Sequence, residues 1–528
     1  MNTIEPNPTS QVAISTYSTF SRRQKLCISW LASLSAMYSG LSSFIYYPAI
    51  TAIAQSMSVS IEAINLSITS YQIVSGVAPS VLGDMADQVG RRPICLVAFL
   101  VYFAANLGLA LQNDYAALIA LRCLQSAGAS STIAIAYGFI ADIAPPAERG
   151  SYVGILQGLY VLKIHTLLTE RKTWLLIDEN STNSAPSIGP VLGGILTETL
   201  SWRWVFWFLS ILSGCNLIIL LLVVPETCRK LVGDGSGQTP HWMYRPLVNI
   251  LGNVEQQEEV HDAASPRRQQ RRRPRINMPN PLHCLKLLLD RASFLVIRIG
   301  GMQYTVYGYI ATSLSTLVIR IHGLNYLQGG LTYLPLGVGV LDRDYRRTTT
   351  TATTKDHIPA IPNKNKSPID LNLVGDFPIE QARLKSIFPL FGISCAATLG
   401  YGWSLHHQVH VHAHAQAHPD VPLAVPLLMT FLSGASQVSI FTICGTLLTD
   451  LNPNRSVTVQ ASYSLIRCLL STGGIAAVEK LIDAVGAGWC FTVFALVLGV
   501  VCVPLAVVLR KWGPRWRIEA WRDRGASI

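Results

Sequence analysis

The sequence predicts an all-α membrane protein with twelve transmembrane helices in two six-helix bundles. Half of the 528 residues are apolar and only 13% are charged, which is about half the charged fraction of an average soluble protein. A soluble globule of this length needs more polar surface, and a disordered chain has far less apolar content. The apolar residues also form runs approaching the length of about 20 residues that a helix needs to cross a bilayer.

The apolar runs fall into two groups of six. In the first half they are 27–52, 64–82, 94–111, 116–143, 150–162 continued by 187–196, and 205–224. In the second half they are 294–318, 327–341, 387–403, 421–448, 457–478 and 490–509. We interpret all of them as helices, because a lipid-exposed backbone must satisfy its own polar groups.

The two groups of spans divide the chain into five parts. These are an N-terminal tail (1–26), a first bundle (27–225), a central loop (226–290), a second bundle (291–509) and a C-terminal tail (510–528). Lys and Arg residues cluster in the two tails, the central loop and alternate short loops, which predicts that all of these lie in the cytoplasm. The net charge of +11 therefore reflects membrane topology, and we expect no nucleic-acid partner.

Two spans depart from this pattern. Span five is interrupted by residues 160–182, whose charged residues cannot lie in hydrocarbon; we interpret this stretch as an insertion, for instance a translated intron. Span eight is short, because it meets the charged residues Asp342 and Arg343 after position 341. If both defects persist in the mature protein, a non-functional transporter is an alternative reading.

The loop between spans two and three carries a dense motif of glycines, acids and arginines. It contains the following residues: Gly83, Asp87, Gly90, Arg91 and Arg92. An ordinary basic turn is one reading, since glycine accepts a positive φ there. The whole string resembles the loop signature of the major facilitator superfamily. That resemblance implies a cytoplasmic charge-relay latch, with Asp142 at the end of span four as the partner of Arg91.

Two further motifs resemble elements of the same superfamily. In span four, Arg122 and Gln125 are similar to an Arg-x-x-Gln-Gly element linked to proton coupling, although an Arg reaching the extracellular surface is the alternative. In span five, the antiporter motif comprises Gly189, Pro190, Gly193 and Gly194. It resembles the signature of the drug-antiporter branch, and close helix packing is the alternative role for its small residues.

The second half contains three shorter matches, at 377–384, 464–470 and 486–492. They resemble elements of the fungal twelve-span drug:proton antiporters of the quinidine-resistance type, and they add Arg467 to the proton-coupling candidates. The resemblance implies a secondary transporter, not an enzyme, that exports drugs, toxins or other small organic molecules by alternating access. It also implies proton coupling, a monomer and no cofactor or metal, in the plasma membrane or alternatively the vacuolar membrane.

Aromatic and amide side chains in the spans are candidates for the substrate cavity. They are Tyr38, Tyr46, Tyr71, Gln72, Tyr137, Gln303, Tyr304 and Tyr307, together with the hydroxyl of Ser42. Aromatic faces suit an apolar or cationic compound, whereas packing or interfacial positions are the alternative. We find no Asp or Glu well inside a span, so facilitated diffusion or another coupling ion stays open.

Histidines alternate after span nine, from His406 to His418. Such a pattern can bind zinc or sense pH, but we interpret it as a polar extracellular loop, because no Cys and only Asp420 lie nearby. A membrane sensor built on a transporter scaffold and a membrane metalloenzyme are the other functional classes. The enzyme lacks a constellation of ligands with a general base.

Overall fold

The computed structural model describes residues 18–144, 152, 185–233, 242–244, 246, 290–337, 379–414, 423–452 and 456–525. Within these ranges the regular secondary structure is helical. Each predicted span coincides with at least part of a described helix, which confirms the all-α fold class. The proposed insertion at 160–182, the residues that follow span eight and the Arg267–Arg275 run lie outside the described residues.

The described residues of the first half form eight α-helices. They are α1 (Arg22–Phe44), α2 (Ile50–Met57), α3 (Ile61–Val89), α4 (Arg91–Leu111), α5 (Tyr115–Ile143), α6 (Ala185–Thr199), α7 (Arg203–Val223) and the short α8 (Arg229–Val232). Local sequence explains several starts. The side chains of Ser21, Ser60 and Asp114 accept backbone N–H bonds in the first turns of α1, α3 and α5, as helix caps do.

The second half contains α9 (Arg291–His322), α10 (Tyr326–Leu331), α11 (Ile379–Leu384), α12 (Ile387–His414), α13 (Ala424–Leu451), α14 (Ser456–Val497) and α15 (Val503–Gly525). Helix α14 covers the predicted span eleven and the start of the predicted span twelve, with a kink between them at Gly486, where φ is +80°. A π-helical turn, Leu498–Cys502, joins α14 to α15. Helix α12 continues through His414, so the first part of the predicted histidine loop is helical.

The helices pack as two bundles. In the first, α5 contacts α1, α3 and α4, while α4 also packs against α7; in the second, α14 contacts α9 and α12, and α13 packs against both of these. The bundles meet along two seams, α3 with α14 and α6 with α10. We call the two ends of the molecule the Gly90 end and the Asp114 end, after the turns that connect α3 to α4 and α4 to α5.

The outward faces of the helices are apolar. Large side chains such as Leu100, Ile211 and Val500 are 55%, 59% and 69% exposed, which in water would be unfavourable over so large an area. Among the described residues, five helical segments are long and apolar enough to cross a membrane: Arg91–Leu111, Tyr115–Ile143, Arg203–Val223, Ala424–Leu448 and Lys480–Glu519. These features confirm an integral membrane protein, whereas the count of twelve spans stays a prediction.

Candidate functional site

A charged cluster at the Gly90 end brings together the predicted latch residues. Gly90 takes a φ of +126°, which only glycine adopts readily, and this turn starts α4 at Arg91. The Arg91 guanidinium pairs with Asp87 one turn earlier in α3, and its Nε lies 3.2 Å from Oδ2 of Asp142 at the end of α5. Arg91 therefore ties three helices of the first bundle together, and we call this group the Arg91 cluster.

Glu226 completes the same cluster, although it was assigned to the central loop by its sequence position. The residue is only 3% exposed. One carboxylate oxygen accepts the backbone N–H groups of Arg91, Thr227 and Cys228 at 2.9, 3.0 and 2.8 Å. The other accepts the N–H of Arg92 at 3.1 Å. Burial raises the pKa of Glu226, and these N–H groups oppose that rise. An acidic residue two positions after the end of an apolar span was the available sequence signal.

Arg92 and Gly83 serve the packing of the cluster. Arg92 donates to the backbone carbonyls of Met243 and Leu221 at 2.6 and 2.7 Å, so it fastens the end of α7 and part of the central loop to α4. Gly83 lies against α5, where an added Cβ would come within 3.8 Å of Ala134. Neither residue pairs with Asp142 in the described structure.

Arg122 is enclosed by aromatic rings inside the first bundle. It is 1% exposed, and its guanidinium carbon lies 4.2 and 4.4 Å from the ring centres of Tyr46 and Tyr71. Its Nη1 donates to Gln125 at 2.6 Å, and the Gln125 amide in turn donates to Asn106 at 2.7 Å. The alternative in which Arg122 reaches the extracellular surface is therefore wrong.

Arg467 occupies a comparable setting in the second bundle. Its guanidinium lies 4.4 Å from the ring centre of Tyr304, 5.0 Å from that of Phe441 and 5.9 Å from that of Tyr463. The residue is half-buried, as is Tyr304. The cavity prediction did not include Phe441 and Tyr463, two of the aromatic side chains around Arg467.

The antiporter motif lies at the seam between α6 and its neighbours. Gly189 approaches Phe44, and Gly193 approaches the Ile45 carbonyl, both at the end of α1. Gly194 faces the Tyr326 carbonyl, and the Pro190 carbonyl faces Gly330. The four residues thus allow α6 to approach both α1 and α10 at backbone distance, as small residues do in membrane helices.

Three of the predicted cavity residues lie where the bundles meet. Gln72 reaches the Tyr304 hydroxyl, and Tyr307 packs edge-on against Phe44 of the first bundle, whereas Tyr46 contacts Arg122 within the first bundle. Next to them Tyr47 stacks on Tyr333 with ring centres 6.0 Å apart, a contact between bundles that the sequence did not reveal.

Three further predicted cavity residues also pack within their own bundles. The Tyr38 hydroxyl donates to the Leu212 carbonyl at 2.7 Å, and the Gln303 amide donates to Ser394 at 2.7 Å. Tyr137 is half-buried against the core of the first bundle. The structure does not bring these three to the seam.

Comparison with known proteins gives a family. A sequence profile described as the Major Facilitator Superfamily matches residues 32–341. The chain is 35% identical to the MFS-type transporter phiD of a fungal species (strain ATCC 74256) over 514 residues, covering 96% of this chain and 71% of the relative. It is 33% identical to Citrate exporter 1 of Aspergillus niger over 508 residues, covering 94% of this chain and 88% of the relative.

The fold is similar to that of solved transporters. A crystal structure of a D-xylose-proton symporter aligns with a TM-score of 0.56 and 15% sequence identity, covering 92% of this chain and 97% of the other. The likeness at this identity concerns the fold alone. With the family profile and the fungal relatives, it establishes that the chain belongs to the major facilitator superfamily and is a secondary membrane transporter for a small molecule, not an enzyme.

Proposed function

We propose that the protein exports a small organic molecule by alternating access and that proton entry drives this export. The observation that carries the proposal is the pair of seams between the bundles, α3 with α14 and α6 with α10. Two bundles joined along such seams can rock about a central site and open it to one side at a time. The relative named Citrate exporter 1 supports the outward direction.

Both seams rely on small residues that let helices separate and close without interlocking side chains. In the first, Gly76 of α3 lies against Leu465 and Cys468 of α14; in the second, Gly194 lies against Tyr326 of α10. Glu198 adds a polar contact at the second seam, where it accepts the Tyr326 backbone N–H at 3.0 Å. These contacts would break when the bundles part at the Asp114 end.

A pocket of about 450 Å³ lies between the bundles at the Asp114 end. Its lining comes from both halves and includes Gln55, Glu198, Thr316 and Asn325. Its volume falls within the range that holds small organic ligands. We propose that it forms part of the extracellular exit, because the positive-inside pattern predicts that this end faces outward.

The Arg91 cluster is proposed to act as the cytoplasmic latch. Asp142 is the carboxylate that joins Arg91 from α5, and its side chain is only 12% exposed. A proton on Asp142 would remove the charge that holds Arg91, which links protonation to release of the latch. Arg122 and Arg467 cannot supply that proton, because a guanidinium keeps its own, so any part that these residues and Gln125 play in coupling is through charge and hydrogen bonding.

Transport by the purified protein in proteoliposomes tests the proposal. Labelled organic compounds of varied charge would be offered to vesicles with and without an imposed pH gradient, with empty vesicles as the control. Accumulation that a protonophore abolishes is expected, whereas accumulation unaffected by the protonophore would refute proton coupling. A correctly inserted protein that moves none of the compounds would refute export and favour the sensor alternative. Tagged protein in intact cells would test the plasma-membrane location, and its mass in detergent would test the monomer.

A further inference from the structure

We infer that the transported molecule is an organic anion and that Arg122 and Arg467, one from each bundle, bind its negatively charged groups. This inference rests on the proposed function and specifies the substrate class. Two guanidinium groups that the latch does not use, one from each bundle, lie among aromatic rings.

Neither arginine has an acidic partner. Among the described residues, the ion pairs join Arg91 with Asp87 and Asp142, and Arg517 with Glu380; no carboxylate lies within ion-pair distance of Arg122 or Arg467. The Nε atoms of both arginines are buried without a hydrogen-bond acceptor. A charge removed from water without a counter-ion is strongly destabilising, and an intramembrane ionisable residue of this kind marks a substrate or ion pathway.

The surrounding groups compensate for only part of this charge. The rings of Tyr46 and Tyr71 offer their negative faces to Arg122, and Gln125 accepts one of its N–H groups. The face of a ring attracts a cation more weakly than a carboxylate does in a site without water. Each guanidinium therefore keeps N–H groups for an incoming carboxylate, which the planar fork can bind through two hydrogen bonds.

The two arginines belong to one continuous layer that crosses the seam. Arg122 contacts Tyr71 of α3, whose neighbour Gln72 reaches Tyr304 of α9, and Tyr304 in turn lies under Arg467 of α14. A ligand in this layer would touch both bundles at once. Its binding would then depend on how the bundles are placed, which is what an alternating-access site requires.

The same layer indicates the body of the ligand. Tyrosine rings flank both guanidinium groups, and Tyr304 is half-buried, so an aromatic or apolar body that carries one or more carboxylates fits the chemistry. A cationic compound would meet two positive charges with no carboxylate among the described residues of the layer. The inference therefore replaces the sequence-based expectation of an apolar or cationic substrate.

Uptake of probes of opposite charge tests the inference. Proteoliposomes would receive radiolabelled phthalate, an aromatic dianion, radiolabelled succinate, an aliphatic dianion, and labelled tetraphenylphosphonium, a lipophilic cation. The variants are Arg122→Gln, Arg467→Gln and Arg122→Lys. Arg203→Gln is the matched control, because Arg203 also stacks on an aromatic ring, that of Trp202 at 4.3 Å, but lies at the Asp114 end.

We expect saturable uptake of at least one dianion. Arg122→Gln and Arg467→Gln should each raise its apparent KM at least about 10-fold, because each variant loses a charge-assisted hydrogen-bonded pair. The control variant should retain the KM of the natural protein. Arg122→Lys should restore part of the affinity if charge is what binds, whereas a purely structural role would give equal losses for Lys and Gln. Size-exclusion profiles and thermal midpoints show which variants are folded.

Three results would overturn the inference. Uptake of the cation without either dianion, or dianion uptake with an unchanged KM in both Gln variants, would remove the anion site while leaving the transporter proposal intact. Uptake of no probe at all by folded, inserted protein would count against the proposed function as well. In the natural protein, failure of excess unlabelled dianion to compete with labelled dianion would equally contradict a saturable anion site.

Discussion

Glu226 caps the helix that begins at Arg91, from a position 135 residues later in the chain. Its carboxylate accepts the N–H of Arg91 at 2.9 Å. It thereby satisfies an N–H group of the first turn of α4 that has no acceptor within the helix. The negative charge also lies at the positive end of the helix dipole. The end of the first bundle is thereby closed onto the same turn that carries the Arg91 cluster.

Removal of this cap should destabilise the protein. Glu226→Ala would leave buried N–H groups of α4 without acceptors, at a cost of about 3 kcal/mol, and would lower the thermal midpoint in detergent. Glu226→Gln keeps one acceptor oxygen and should lose less. Glu519→Ala, at an exposed position of α15, is the control, and an equal loss in that variant would contradict the capping role.

The same residue should make stability depend on pH. Because burial raises the pKa of Glu226 in the folded protein, the protonated form of this residue favours the folded state. That contribution to the free energy of unfolding is present below the unfolded pKa and declines as pH rises through the folded pKa. The thermal midpoint of the natural protein relative to Glu226→Gln should therefore fall as pH rises from about 4 toward 7. A constant difference between the two proteins across that range would exclude the effect.

Asp87→Asn should impair transport without preventing membrane insertion. The change removes the charge that Arg91 contacts in α3 and leaves the helix otherwise intact, so the latch state should lose stability. A drop of about 10-fold in uptake rate, within the usual range of coupling between two conformational states, is expected in proteoliposomes. Asp84→Asn is the control one turn earlier in α3, where the carboxylate accepts a hydrogen bond from the Gln88 amide at 3.1 Å. Normal flux from inserted Asp87→Asn would refute the latch.

The seam between α6 and α10 should tolerate no added side chain at Gly194. A Cβ there would lie 2.6 Å from the Tyr326 carbonyl oxygen, so Gly194→Ala must push the helices apart, at about 2 kcal/mol. We expect a lower thermal midpoint and slower uptake. Gly392→Ala in α12, where a Cβ meets nothing within 4 Å, should change neither measurement, and matching behaviour of the two variants would contradict the close approach.

Arg517 and Glu380 should show strong coupling in the second bundle. Glu380 in α11 is fully buried, and Nε of Arg517 in α15 lies 3.4 Å from its Oε1. Arg517→Ala leaves a buried carboxylate without its partner and should cost about 3 kcal/mol. Adding Glu380→Gln should recover much of that loss in thermal midpoint. Additive losses in the double variant would argue against the pair.

The sequence by itself determined the features that depend on local composition. Apolar runs located the helices, because a segment that crosses lipid must be apolar and must satisfy its own backbone polar groups. The string from Gly83 to Arg92 identified the turn and its arginines. It also placed Arg122 and Arg467 inside spans, since a charge in an apolar run is visible without a structure. These features are set within one or two helical turns.

Only the tertiary structure decided which faces of the helices meet. Tyr38 and Gln303 pack within their own bundles, whereas Tyr47 crosses the seam to Tyr333, because the rotation of each helix about its axis is fixed by packing against neighbours distant in the chain. The partnership of Glu226 with Arg91 depends on the same long-range packing. The series of side chains from Arg122 to Arg467 depends on it too, because these residues lie on helices of both bundles that are far apart in the sequence.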